Sequence, residues 1–377
     1  MKAQRNNIQP KFNVYLLTIL LLILFGSCSE DGGDGNGNDD FDRVALLNNI
    51  GKNIILPNYQ SFYQETSNLK DAAMDFAANP SAQLLTGLQT NWKAATLAWK
   101  NAEVIDLGPI DQLALKTSID NWPTNTIAIG EALTTTKTID NAYITSLGSS
   151  SKGLPAIEYL IFDPEGGNQT VLDAMATSTN RLDYLVALCE NLHSLAKQLF
   201  EAWDPASDNY LNTFMQADGK DIGSSINMLA NNVIFLAEIV KNEKIGVPLG
   251  KKSLGELLPK NAEAWRSQSS LSFILENLKA LKSIYKGADG EGFDDYLNHI
   301  NARYLQDESL SQVIDTQFDS AIEATEAISL PLTDALTQEK DKVELAFEKA
   351  QQLVILLKTD MMSSLGLLVT FSDNDGD

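Results

Sequence analysis

The chain is poor in the side chains that carry most catalysis and metal binding. Among 377 residues there are two histidines and two cysteines. Neither His193 nor His299 stands in a His-x-x-Glu or His-Glu-x-x-His setting, so no zinc-peptidase ligand set is visible. No Gly-x-Ser-x-Gly nucleophile elbow occurs either. Basic residues are also scarce, with 28 Lys and Arg against 50 Asp and Glu and a net charge of −22. Phosphate recognition rests on Lys and Arg, which argues against a nucleic-acid partner. Long apolar runs are missing as well. The longest, Val14–Phe25, is too short to cross a bilayer comfortably.

That run has the flanks of a signal peptide: Lys2, Arg5 and Lys11 before it, Gly26-Ser27-Cys28 after it. Small residues ahead of a cysteine resemble a bacterial lipobox, although Phe25 stands where leucine is usual. We therefore expect a lipoprotein signal peptide over residues 1–27, with Cys28 lipidated as the membrane anchor; plain secretion is the alternative. Its removal takes away three positive charges and no negative one, leaving a still more acidic mature chain. Residues 28–41 are dense in Gly, Asn and Asp, cannot bury a core, and read as a flexible acidic tether. An acidic stretch there resembles a surface-export signal, so the expected location is the outer membrane, either at the cell surface or facing the periplasm. A calcium loop lacks its bidentate Glu. With Cys28 lipidated, Cys189 has no disulfide partner, and stability must come from a packed core.

The remaining pattern is helical. Leu84, Leu88, Trp92, Ala95, Trp99 and Ala102 recur at steps of three and four, as do Leu182, Val186, Cys189, Leu192, Ala196, Leu199 and Trp203. The regions Ile226–Val240 and Val343–Met361 read the same way. No useful alternation of period two appears, so we expect an all-α protein of two helical bundles, residues 42–205 and 206–377. The boundary is taken from the loop Asp204–Ser207, with the stretch from Lys241 to Pro259 as a rival. On the second stripe Cys189 reads as inert filler. His193 reads as a core-boundary residue bonded to a neighbouring carbonyl, and His299 as exposed.

The candidate chemistry centres on Gly153-Leu154-Pro155-Ala156-Ile157-Glu158. Proline has a fixed φ and no N–H, so Pro155 suits the first helical position, and Gly153 a flexible lead-in. Glu158 then ends the first turn, directed between Ile161 and Phe162. A carboxylate held among apolar neighbours is costly unless paired. Upstream, Trp92 and Trp99 are apolar anchors on one helix face. Asp106 shares that face if the helix persists to Leu107, with Glu103 at its flank. Two readings stay open: Glu103 and Asp106 cap or salt-bridge neighbouring helices, or they converge with Glu158 on one polar pocket. Glu263 and Ser267, one turn apart on an expected helix, are supporting candidates. The tail Asp373–Asp377 is either a cation-binding string of oxygens or a disordered acidic end.

These strings resemble the imelysin-like family, whose fuller motif is Gly-x-His-x-x-Glu. Gly153 and Glu158 match it, and Pro155 occupies the place of the histidine. The string from Trp92 to Pro109, Trp122-Pro123, the loop Glu243–Gly250, Glu263–Ser269 and the C-terminal pattern from Leu365 extend the resemblance over roughly residues 84–377. It implies an exported all-helical protein linked to bacterial iron uptake, iron-uptake partners, and a metallopeptidase label. Under it, Glu158, Glu103, Asp106 and Asp120 are candidate ligands, and their hard oxygens suit a hard cation such as iron. The iron itself comes from the resemblance, since the sequence shows no cofactor. Two alternatives stand beside this binding role. One is an interaction module without a ligand, with Glu158 satisfied by Arg181, Arg266 or backbone N–H groups. The other is a metallopeptidase using Glu158 as general base.

Overall fold

Wherever apolar residues recur at steps of three and four, the chain is helical. The computed structural model describes residues 40–371. The expected signal peptide, Cys28, the expected tether up to residue 39 and the tail Asp373–Asp377 lie outside the described residues. Phe41, the last residue of the expected tether, is already buried and stacks on Tyr296 with ring centroids 4.3 Å apart.

In the first half, α1 (Leu56–Ala78) and α2 (Ala82–Ala102) pack along each other. A break at Asn79-Pro80 separates them, and Ser81 caps α2 by accepting from the Leu84 amide. Leu85, Leu88, Trp92, Ala95 and Trp99 form the buried face of α2. The helix α3 (Gly153–Ile161) lies against α2 and against α4 (Thr179–Trp203), which in turn packs on α1.

The second half repeats the theme with α5 (Ser225–Ile239), α6 (Ser270–Lys286), α7 (Leu310–Glu326) and α8 (Lys340–Ile355). The contacts run α5 to α6, α6 to α7, α7 to α8 and α5 to α8. Packing of α2 on α6 joins the two groups, and the described residues from Phe41 onward form one compact unit. Two of these helices run on as π-helix, α5 through Val240–Gly246 and α8 through Leu356–Met361. Among the described residues there is no β-strand, and no helix is long and apolar enough to cross a membrane.

Three local expectations are corrected. The motif helix starts at Gly153, so Pro155 is its third residue; an amide there would be without an intrahelical partner anyway, which is why proline is tolerated. Helix α2 stops at Ala102 with Glu103 as its C-cap, so Asp106 does not share the Trp92 and Trp99 face. Glu263–Ser269 is a series of turns ahead of α6, with Ala264 and Gln268 at positive φ. That departure from helix frees the Ser267 amide to serve another group.

Candidate ligand-binding site

Where α2 meets α6 and the π-helical turn, five charged side chains are buried together. Lys100 lies in the last turn of α2, and its Nζ contacts Glu103 at 3.2 Å, Glu263 at 2.6 Å, and Asp120. Lys244, on the π-helix Val240–Gly246, contacts Glu103 and Glu263, each at 3.0 Å. Its third donor goes to Asn277 Oδ1 of α6, and the Asn277 amide returns 2.6 Å to Glu103 Oε1. Trp99 Nε1 donates to Asp120 at 3.1 Å, and the Trp122 ring lies 5.4 Å from the Lys244 ammonium. None of these five charged side chains is more than 5% exposed.

Their electrostatics follow from burial opposed by partners. Burial alone would raise Glu103, but Lys100 and Lys244 outweigh it and hold its pKa down at about 2. Burial lowers Lys100, yet Asp120, Glu103 and Glu263 together push it well above its ordinary value. The cluster has three carboxyls for two ammonium groups. Asp120 is pushed up, by burial and then by its acidic neighbours Glu263 and Glu103.

A cavity of about 230 Å³ opens beside this cluster. Asp120 and Glu263 reach its wall, as do Trp122, Trp265 and Phe273. From α3 come Pro155 and Glu158. Gly153 makes that approach feasible: its φ is +72°, and a Cβ there would sit 2.2 Å from the Ile119 carbonyl oxygen. Glu158 is 3% exposed, and its Oε1 accepts from the Ser267 amide at 2.8 Å. Burial pushes its pKa up to about 7, against the pull of that hydrogen bond and of Arg266. Near neutral pH its carboxyl can thus either donate or accept a hydrogen bond.

The expected site residues therefore divide. Glu158, Asp120, Glu263, Trp92 and Trp122 line the cavity. Glu103 sits behind it in the ion-pair cluster, and Trp99 holds Asp120. Asp106 is elsewhere, 3.6 Å from Lys116. Ser267 contributes its amide, while its hydroxyl donates to the Ala264 carbonyl. Neither arginine considered for Glu158 forms an ion pair with it; Arg181 and Arg266 lie over the Tyr159 ring. Lys100, Lys244 and Asn277 were missed. Lys100 follows Trp99 on the apolar-facing side of α2, but an apolar neighbour alone does not mark a lysine as internal.

The histidines and the cysteine take no part. His193 stacks on Tyr63, bonds the Tyr63 backbone as expected of a neighbouring carbonyl, and also pairs through Nδ1 with the Thr66 hydroxyl at 3.2 Å. His299 is exposed beside Phe41. Cys189 is fully buried, which pushes its thiol up. As a test for a bound metal, the donor set does not fit: the three converging carboxylates are already bonded to lysine ammonium groups. Among the described residues no group of three or more His, Cys, Asp or Glu is placed to hold an ion. The position of the motif histidine does line the cavity, but Pro155 brings no donor atom there.

Comparison with known proteins agrees with this architecture. The chain is 24% identical over 298 residues, 77% of each chain, to Iron-regulated protein A of Synechococcus elongatus. A crystal structure assigned as an iron-regulated protein A precursor from Parabacteroides distasonis superposes with a TM-score of 0.70 at 20% identity, covering 86% of this chain and 95% of the other. An imelysin-like protein from Psychrobacter arcticum gives 0.69 at 17% identity, over 87% and 97%. The family model for imelysin, peptidase M75, matches residues 55–359, which takes in α1 to α8, the cavity and the buried cluster, and the chain belongs to that family.

Proposed function

We propose that this protein is an iron-related binding protein of the cell envelope, anchored through a lipid on Cys28, and that it takes a small iron-bearing ligand in the cavity beside α3. The carrying observation is the contrast between the carboxyls. Glu103, Asp120 and Glu263 are bonded to Lys100 and Lys244, whereas Glu158 faces the cavity with one oxygen held by an amide and no cation at ion-pair distance. A bare ion would have to expel an ammonium group to gain a second carboxylate, and that exchange is costly in a buried site. A chelated ion brings its own ligands and needs only orientation. The rings of Trp122, Trp265 and Phe273 offer planar apolar walls, and Glu158 offers one hydrogen-bonding anchor. The iron follows from the name of the Synechococcus relative and from the family resemblance.

The test is a calorimetric titration of the purified protein and of Glu158→Gln with free Fe(II) and with Fe(III) bound by catechol. Saturable binding of the catechol complex, weakened about tenfold or more in the variant, is the expected result. If neither probe saturates and Glu158→Gln changes only the melting temperature, the motif is a structural device. Tighter binding of the free ion than of the complex would overturn the preference for a chelate.

A further inference from the structure

A second cavity, of about 240 Å³, lies on the other side of Trp265 and Arg266, which line both. Its wall carries two guanidinium groups, Arg181 from α4 and Arg266 from the turns before α6. They converge on one ring: Arg181 Cζ lies 5.8 Å and Arg266 Cζ 5.1 Å from the centroid of Tyr159, and Arg266 also stacks on Trp265 at 4.5 Å. Neither has a carboxylate at ion-pair distance among the described residues, and Arg181 Nε is buried without a hydrogen-bond partner. Burial depresses both guanidiniums below their ordinary value, the mark of charges taken from water without full compensation. A buried donor with no acceptor is rare enough to require a reason.

The acidic groups on the same wall are engaged elsewhere. Asp163 Oδ1 accepts from the Glu165 and Gly166 amides at 2.9 and 2.8 Å, and Glu165 pairs with Lys260 at 3.2 Å. The cavity thus offers planar guanidinium donors with no carboxylate partner, Arg181 Nε unbonded and its group held by a hydrogen bond to Tyr159, and no unused acceptor of equal strength.

We infer that this cavity is a second binding site, specific for a small organic carboxylate held by the forks of Arg181 and Arg266. Guanidinium matches a carboxylate bidentately, and the stacked rings fix its plane. Asp163 and Glu165 on the wall disfavour a doubly charged ion, so a monocarboxylate is preferred over phosphate. The site stands apart from the Glu158 reading, because it uses neither that carboxyl nor iron.

Calorimetry with benzoate and with inorganic phosphate tests it at pH 7.5. The purified protein should bind benzoate saturably and phosphate at least tenfold more weakly. Arg181→Gln and Arg266→Gln should each weaken benzoate about tenfold or more, as should Arg181→Lys, which keeps the charge and loses the fork. Lys279→Gln, at an exposed lysine of α6 that pairs with Glu326, should bind benzoate as the wild type does. Absence of saturable benzoate binding to the wild type overturns the inference even if an arginine variant fails to fold. So does equal affinity in the wild type and both folded Gln variants. Phosphate binding tighter than benzoate overturns the ligand class.

Discussion

Lys244 and Glu103 meet 3.0 Å apart in the interior although 141 residues separate them in the chain. One comes from the π-helical continuation of α5 and the other from the C-cap of α2. Their contact ties the second half of the fold to the first with charge instead of apolar surface. Two ammonium groups and three carboxyls out of water are tolerable only because each lysine contacts at least two carboxylates of the cluster.

The first prediction concerns that balance. Lys244→Met leaves Glu103 and Glu263 facing a single ammonium, and breaking a buried pair from one side costs about 3–5 kcal/mol. Lys244→Met combined with Glu263→Leu removes one charge of each sign. The double variant should lose less stability than the single one by more than about 1 kcal/mol. Urea denaturation of the wild type, both single variants and the double variant gives the comparison, and additive losses would show that the cluster does not act as a unit.

The second prediction is a pH dependence with opposite signs on two limbs. Glu158 has a folded pKa of about 7, raised from 4.5, so the folded state holds its proton more tightly. Its stabilising contribution is complete below about 4.5 and is lost as pH rises through 7, a change of about 3 kcal/mol. Glu103 is lowered from 4.5 to about 2, so its contribution is present above 4.5 and lost as pH falls through 2. Glu158→Gln should gain on the wild type between pH 5 and 8, and Glu103→Gln should flatten the acid limb. A constant offset between wild type and Glu158→Gln across pH 5–8 would contradict the assignment.

Cys189 provides a simple probe of the core. It is fully buried on α4 with its thiol pushed up, so little thiolate exists and reagent cannot reach it. In a Cys28→Ser background, the native protein should leave a disulfide-exchange reagent unconsumed until denaturant unfolds it. Rapid stoichiometric labelling under native conditions would mean that α4 opens readily.

The stripe from Leu182 to Trp203 made α4 legible in the sequence because burial along a helix depends on spacing alone. The paired tryptophans of α2 were legible for the same reason. Lys100 and Lys244 were not, since a lysine beside apolar residues ordinarily runs along the surface with its charge in water. Only the three-dimensional meeting of α2, α6 and the π-helical turn reveals that both are enclosed. Asp106 was misplaced because α2 ends one residue before Glu103, and beyond a helix end 3.6-residue spacing no longer predicts direction. Ser267 was expected on a helix, whereas it lies in the turns around Ala264 and Gln268, which free its amide for Glu158. Backbone donors of that kind leave no trace in side-chain identity.

Two glycines make the last prediction, because the same substitution should act in opposite directions. Gly153 has φ +72°, and an added Cβ would lie 2.2 Å from the Ile119 carbonyl oxygen, a backbone atom that cannot swing aside. The left-handed backbone alone costs about 1–2 kcal/mol for a residue with a Cβ, and the clash adds to it. Gly153→Ala should therefore lower the melting temperature markedly and pull Glu158 from the Ser267 amide. Gly87 is exposed on α2, with nothing within 4 Å of the added atom. There alanine should stabilise by about 0.5–1 kcal/mol through its better helix propensity. Thermal unfolding of the two variants beside the wild type decides the matter. Equal small shifts at both positions would mean that the opening of α3 yields to the methyl group, and that Gly153 does not set the position of Glu158.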